Sequence, residues 1–458
     1  MSELRNNPSI QSPVYSRDST PVRLFTDLRR LPHLIIFISL ILGFMTAQAQ
    51  APAGLHRPAT VPEGYVVTPF GYAHPSCVRQ LAEGDTSQLD RGVIQHANGS
   101  REKLQACSYP RYTAKGEPAS IRATPGPESP TINGWVESTQ AVTNTSYGEV
   151  YSLWTVPPAP TSNDGQTVYF FPGLEDTADN GSNSYTILQP VLGWTNGQWT
   201  IASWNCCYNG VQLYSSPKTV NPGDPIVGTI SSTCAAGTLS CPTWNITTNV
   251  AAGASTTLTN TSSYGQTFNW AFGGVLEAYD IAQCSDYPPS GSLDFETSLY
   301  DNNLNGISNP GWSAVNSYSG YTPQCNYGAQ AYTDGAVVDF GYAIQLYVEG
   351  SEQEACTKKN GVGGCIVYST DYGNVSVTID GQTYTASYND SSTDTSIATA
   401  LAGAIRASSG LTVETAAGDI FIPTTTCHTV SASSSTQDTF YFKNPSFEVG
   451  VVQPGCSP

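Results

Sequence analysis

Between Thr131 and about Gly350 the chain repeats one pattern: short runs rich in Val, Ile, Tyr, Phe, Trp and Thr, separated by clusters of Gly, Asn, Pro and Ser. Runs such as Glu149–Val156, Thr167–Phe171, Tyr185–Trp194, Gln198–Trp204, Phe268–Ile281 and Val337–Val348 read as strands, and no helical period longer than about two turns interrupts them. Many short strands with regular turn signals predict an all-β domain, an antiparallel β-sandwich of concanavalin-like architecture over residues 131–350.

The flanks differ. Arg29 and Arg30 precede an apolar run from Leu34 to Met45, followed by Ala47-Gln48-Ala49. The run is short for a membrane span and suits a signal-peptide core, so residues 1–49 are expected to be a signal peptide or signal anchor. The chain is then expected to be secreted, with no stable membrane association after cleavage. Residues 50–130 are Pro-rich, carry most of the remaining arginines and end in Thr124-Pro-Gly-Pro-Glu-Ser-Pro130, which reads as a propeptide and linker held to the acidic domain by charge. Residues 351–458 read as a small α+β C-terminal module. Asn374–Tyr388 alternates like a hairpin turning at Asp380-Gly381, and Thr393–Ala407 carries Ile397, Leu401 and Ile405 at helical spacing.

Charge narrows the function. From Ala123 to Thr357 the only basic residue is Lys218, against nineteen Asp and Glu. Such a domain cannot neutralise phosphates, so nucleic acid is excluded as a partner. At acidic pH its carboxylates are protonated and their repulsion is relieved. Twelve cysteines in an exported chain imply disulfides; Cys234 with Cys241 and Cys356 with Cys365 close short loops and are natural pairs, while the remaining pairings stay open.

No histidine lies between Ala97 and Cys427. That excludes a Ser-His-Asp triad, a Cys-His pair or a His-ligated metal inside the sandwich and leaves carboxylate chemistry. Two polar residues stand on strand faces that are otherwise apolar. Gln189 shares a face with Ile187 and Val191, and Glu277 shares one with Val275 and Tyr279. Either group, buried without a partner, costs a few kcal/mol (roughly) and so requires a partner or a purpose.

Several segments resemble the eqolisin-type glutamic peptidases, in family order over roughly residues 147 to 290. Glu149-Val-Tyr-Ser-Leu-Trp-Thr-Val-Pro157 is similar to an early family strand, and Phe170-Phe-Pro-Gly-Leu-Glu-Asp176 resembles the family's Trp-Val-Gly-Ile-Asp stretch. Thr186-Ile-Leu-Gln189 resembles the strand of the catalytic glutamine, Thr200-Ile-Ala-Ser-Trp204 the next strand, whose tryptophan lines the cleft, and Val275-Leu-Glu-Ala-Tyr279 the strand of the catalytic glutamate. Phe171 stands where the family has Trp, and Glu175 where it has Asp. The family's further acidic residue has no clear counterpart near Gly193 and Trp194.

The resemblance implies an endopeptidase on protein or peptide substrates at acidic pH, acting as a monomer without metal or cofactor. Glu277 and Gln189 would be catalytic, and Trp204, Glu175 and Phe171 would bind substrate. Two rivals share the architecture: a carbohydrate-binding sandwich using its aromatic residues, and a glycosidase pairing Glu277 with an acid such as Glu175.

Overall fold

The computed structural model describes residues 57–88, 92–119, 134–178, 186–316, 323–409, 411–416, 418–453 and 456. The signal segment and the linker at 124–130 lie outside the described residues.

Two sheets make the sandwich. The first, here the cleft sheet, contains β1 (Val78–Leu81), β2 (Trp135–Val142), β3 (Thr167–Glu175), β4 (Ile187–Thr195), β5 (Gln198–Tyr208), β6 (Val211–Ser215), β7 (Trp270–Tyr279) and β8 (Ser313–Asn316). Their order across the sheet is β8-β2-β7-β3-β4-β5-β6-β1, with Lys218–Thr219 also paired to β5. All pairs are antiparallel except β6 with β1. The backing sheet is built on Tyr147–Thr155, Pro225–Ser232, Thr243–Val250, Ser255–Ser262 and Ser292–Asp301.

The burial patterns show which sheet lies between two layers. Ser292–Asp301 in the backing sheet alternates buried and exposed, as a strand with one wet face does. Every residue of β3 and β7 is buried. One face of the cleft sheet, with Phe170, Leu192, Ile201 and Leu276, packs on Trp154, Ile226 and Phe295 of the backing sheet. Its other face, with Tyr169, Phe171, Ile187, Val191, Trp204, Val275 and Tyr279, packs on Val61, Tyr65, Phe70 and Tyr72 from the N-terminal segment.

That segment also extends both sheets: β1 pairs with β6 at one edge, and Thr86 pairs with Thr259 at an edge of the backing sheet. Among the described residues the segment attaches to the sandwich by apolar burial and strand pairing. Its ion pairs, Arg79 with Glu102 and His96 with Asp85 and Glu102, are internal to the segment, and among the described residues no ion pair links it to the sandwich. Hydrogen bonds from Tyr72 to Asp280 and from Arg111 to Cys207 add to that attachment.

The C-terminal module has its own core. Helix α1 (Asp394–Ser409) buries Ile397, Ala398, Leu401, Ala402 and Ile405 against Val375, Val377, Tyr384 and Tyr388. Thr393 Oγ1 accepts from the Ser396 N–H at 3.1 Å, while the Thr393 N–H donates to Ser396 Oγ at 2.9 Å, a reciprocal cap. The hairpin Gly373–Ile379 with Gln382–Tyr388 turns at Asp380-Gly381 as expected. The run expected as one strand over Val337–Val348 is two. Gly335–Asp339 belongs to the backing sheet, whereas Tyr342–Gly350 pairs with Asp419–Thr424 and Phe447–Val452 in the C-terminal module, because Phe340-Gly341 breaks the alternation between them.

Six disulfides use all twelve cysteines. Cys234–Cys241 and Cys356–Cys365 form as their spacing predicts, and the others are Cys77–Cys107, Cys206–Cys207, Cys284–Cys325 and Cys427–Cys456.

Candidate active site

Strand alternation carries Gln189 on β4 and Glu277 on β7 to the same face of the cleft sheet, with β3 between them. Glu277 pairs with Tyr169 of β3, and Leu188 pairs with Leu174, which puts Gln189 level with Gly173. Four residues of β3, about 13 Å of strand, separate the two levels. The two side chains do not hydrogen-bond each other, and Phe171 of β3 lies on the same face.

Both groups are fully buried. Neither the amide oxygen nor the amide nitrogen of Gln189 has a hydrogen-bond partner in the protein, and Glu277 Oε2 makes no hydrogen bond. The Tyr279 hydroxyl donates to Glu277 Oε1. Burial drives the Glu277 pKa well above the ordinary carboxylate range, and donors on Tyr279 and Trp135 oppose the rise without cancelling it. Gly134 makes room for this arrangement: a Cβ there would lie 2.8 Å from Glu277 Oε1 and 2.4 Å from the Tyr279 hydroxyl.

The other sequence candidates separate. Trp204 pairs directly with Gln189 across β4 and β5, and its ring stacks on Tyr214 at 4.5 Å. Phe171 lies on the cleft face, edge-on to Trp135 at 5.7 Å. Glu175 is buried at the far end of β3, opposite Trp270. It stands six residues along β3 from the level of Glu277, about 20 Å of strand. Glycosidase carboxyl pairs stand about 5 to 9.5 Å apart, so Glu175 cannot complete such a pair with Glu277. Asp176 organises a turn, accepting from the backbone N–H groups of Ala178 and Thr267. None of the eight Trp is exposed, so no Trp platform for sugar stacking faces solvent.

Sequence reasoning passed over Tyr279 and Trp135 as functional groups. The signal for Tyr279 was its place two residues from Glu277 on the same strand face; nothing local marks Trp135, which reaches Glu277 only through the pairing of β2 with β7.

No protein-family model matches the chain, and comparison with curated proteins gives no match. Among solved structures it is similar to scytalido-glutamic peptidase with a transition-state analogue inhibitor, at 16% identity and a TM-score of 0.33, over 45% of this chain and 98% of that one. It is also similar to SCP-B, a member of the eqolisin family of peptidases in complex with the tripeptide Ala-Ile-His, at 15% identity and a TM-score of 0.30, with the same coverage. The functional reading rests on the site itself.

Proposed function

We propose that this chain is a secreted acid endopeptidase of the glutamic type, made as a precursor whose N-terminal segment covers the active site. One observation carries the reading: a buried glutamine with an unpartnered amide and a buried glutamate with a free oxygen stand on the same face of one sheet. Such groups are costly to a fold that has no use for them.

With the cleft open and hydrated, Glu277 loses the burial that holds its proton and becomes a general base. It takes a proton from the water that attacks the peptide carbonyl carbon. Gln189 donates its amide N–H to the oxygen as negative charge develops there, and Glu277 returns the proton to the leaving nitrogen as the C–N bond breaks. A neutral amide facing one carboxylate avoids the mutual repulsion of a carboxylate pair.

In the covered form the same groups are idle. Tyr72, fully buried, donates to Asp280 Oδ1 at 2.5 Å and sits edge-on to Tyr279, while Tyr169 donates to the Val67 carbonyl at 3.3 Å. The full-length chain is expected to degrade casein in the presence of pepstatin at about pH 4, after a lag during which its mass falls by loss of the N-terminal segment. Tyr72→Phe, which removes the bond to Asp280, should shorten that lag. Full activity from an unprocessed chain would remove the precursor reading, and no casein cleavage between about pH 2 and pH 7 would remove the peptidase reading.

A further inference from the structure

The tip of the N-terminal segment shows which side chain the cleft accepts. Val66–Thr68 and Gly71–Ala73 form a short antiparallel hairpin whose Phe70 and Tyr72 enter the cleft on opposite sides of the catalytic pair. Tyr72 covers the Glu277 side through Tyr279 and Asp280. Phe70, only 3% exposed, meets the Trp204 ring edge-on at 5.9 Å. Trp204 is the direct cross-strand partner of Gln189, so Phe70 sits beside the amide that would hold the oxyanion.

The seat is built for an aromatic ring. Trp204 is braced from behind by the stacked Tyr214, and Cys206 and Cys207 belong to the same apolar cluster. An edge-to-face ring pair is favoured beyond the area it buries, whereas a charged side chain there would lose its water and gain no partner. The Arg111 guanidinium lies between the Phe70 carbonyl, at 3.5 Å, and Cys207 Sγ, at 3.3 Å, so this cation beside the seat arrives with the segment and departs with it.

The hairpin also differs from a substrate where a cleavage site would be. The Thr68 hydroxyl donates to the Gly71 carbonyl at 2.8 Å and accepts from the Phe70 N–H at 3.3 Å, closing a tight turn. Gly71 has φ +102°, and a Cβ there would lie 2.3 Å from the Tyr112 carbonyl oxygen. Peptide hydrolysis needs an extended strand whose carbonyl can be approached from one face, and a turned chain pinned at both ends withholds it. The hairpin keeps the side-chain anchor of a substrate and discards the scissile geometry.

We infer that the Trp204 seat is a specificity subsite for an aromatic side chain, and that the substrates of this protein are unfolded polypeptides carrying Phe or Tyr at one fixed position beside the cleaved bond. The inference rests on the peptidase reading. To test it, full-length protein activated at about pH 4 is given a reduced, alkylated unfolded protein, and the cleaved bonds are mapped by mass spectrometry. Phe and Tyr should be enriched about tenfold at one position relative to the scissile bond, an effect that needs ~1.4 kcal/mol of discrimination. Trp204→Ala should remove that enrichment and Trp204→Phe should keep most of it, with melting temperatures checking that both variants fold. Cleavage without aromatic enrichment, or an enrichment that survives in Trp204→Ala, overturns the subsite and leaves the peptidase reading in place. Absence of any cleavage overturns both.

Discussion

Glu277→Gln is expected to lower casein turnover at about pH 4 by roughly 10⁴, because an amide cannot accept the proton of the attacking water. Gln189→Ala should cost ~10²–10³, the usual loss for one oxyanion donor. The two variants should differ in stability as well. Glu277→Gln exchanges a carboxyl that burial holds well above its ordinary pKa for a neutral group of the same shape, so the covered precursor should melt no lower than wild type and should gain at neutral pH. Gln189→Ala removes an amide with no partner in the protein and should also be tolerated by the fold. Near-normal turnover in Glu277→Gln would end the mechanism. Loss of activity accompanied by a fall in melting temperature would assign Glu277 to the structure instead of the chemistry.

The full-length Glu277→Gln protein, which cannot process itself, is expected to melt at a higher temperature at about pH 4 than at about pH 8, an inversion of the common pattern. Glu137 on β2 and Asp339 are buried near each other. Burial first, and the neighbouring Asp339 second, push Glu137 up to about 9, although the backbone N–H groups of Gly328 and Asp339 favour its ionised form. Burial pushes Asp339 up to about 6, against a hydrogen bond from Gln330 at 2.9 Å. Asp419 in the C-terminal module is raised to about 6 by burial, with Glu349 and Asp394 adding to it.

A carboxyl raised in the folded state holds a proton that the unfolded chain releases near ~4. Its contribution is therefore complete below ~4 and is lost as pH rises through the folded value, here between about 4 and 9. Asp339 alone, raised to about 6, is worth about 3 kcal/mol, which in a protein of this size is about 3–4 °C. Asp301, lowered first by the Asn305 backbone, and Asp380, lowered first by His428, act in the opposite sense, but their stabilisation is lost only below ~4. Thermal unfolding at the two pH values and matched ionic strength tests the sign. Glu137→Gln should flatten the dependence. A clearly higher melting temperature at about pH 8 would show that hydrogen-bonded carboxylates outweigh the buried ones.

The fold class was legible because strand alternation and turn chemistry are local: Thr167–Glu175, Gln198–Tyr208 and Trp270–Tyr279 announce themselves in composition, as does the Asp380-Gly381 hairpin. The candidate pair was legible for a related reason. A Gln and a Glu on faces otherwise made of Ile, Val and Tyr conflict with the strand pattern, and such conflicts mark function. The absence of histidine from the sandwich narrows the chemistry from the sequence alone.

Tertiary structure decided what depends on partners distant in the chain. Sequence could number the carboxylates but not pair them, so the Glu137–Asp339 proximity and the distance of Glu175 from Glu277 waited on strand order and register. The N-terminal segment was recognisable by its arginines, yet Arg79 pairs within the segment and Arg111 reaches the sulfur of Cys207 in the sandwich. Charge is countable in one dimension, whereas the burial of Phe70 and Tyr72 in a cleft built from strands about a hundred to two hundred residues away exists only once the sheet has curved to receive them.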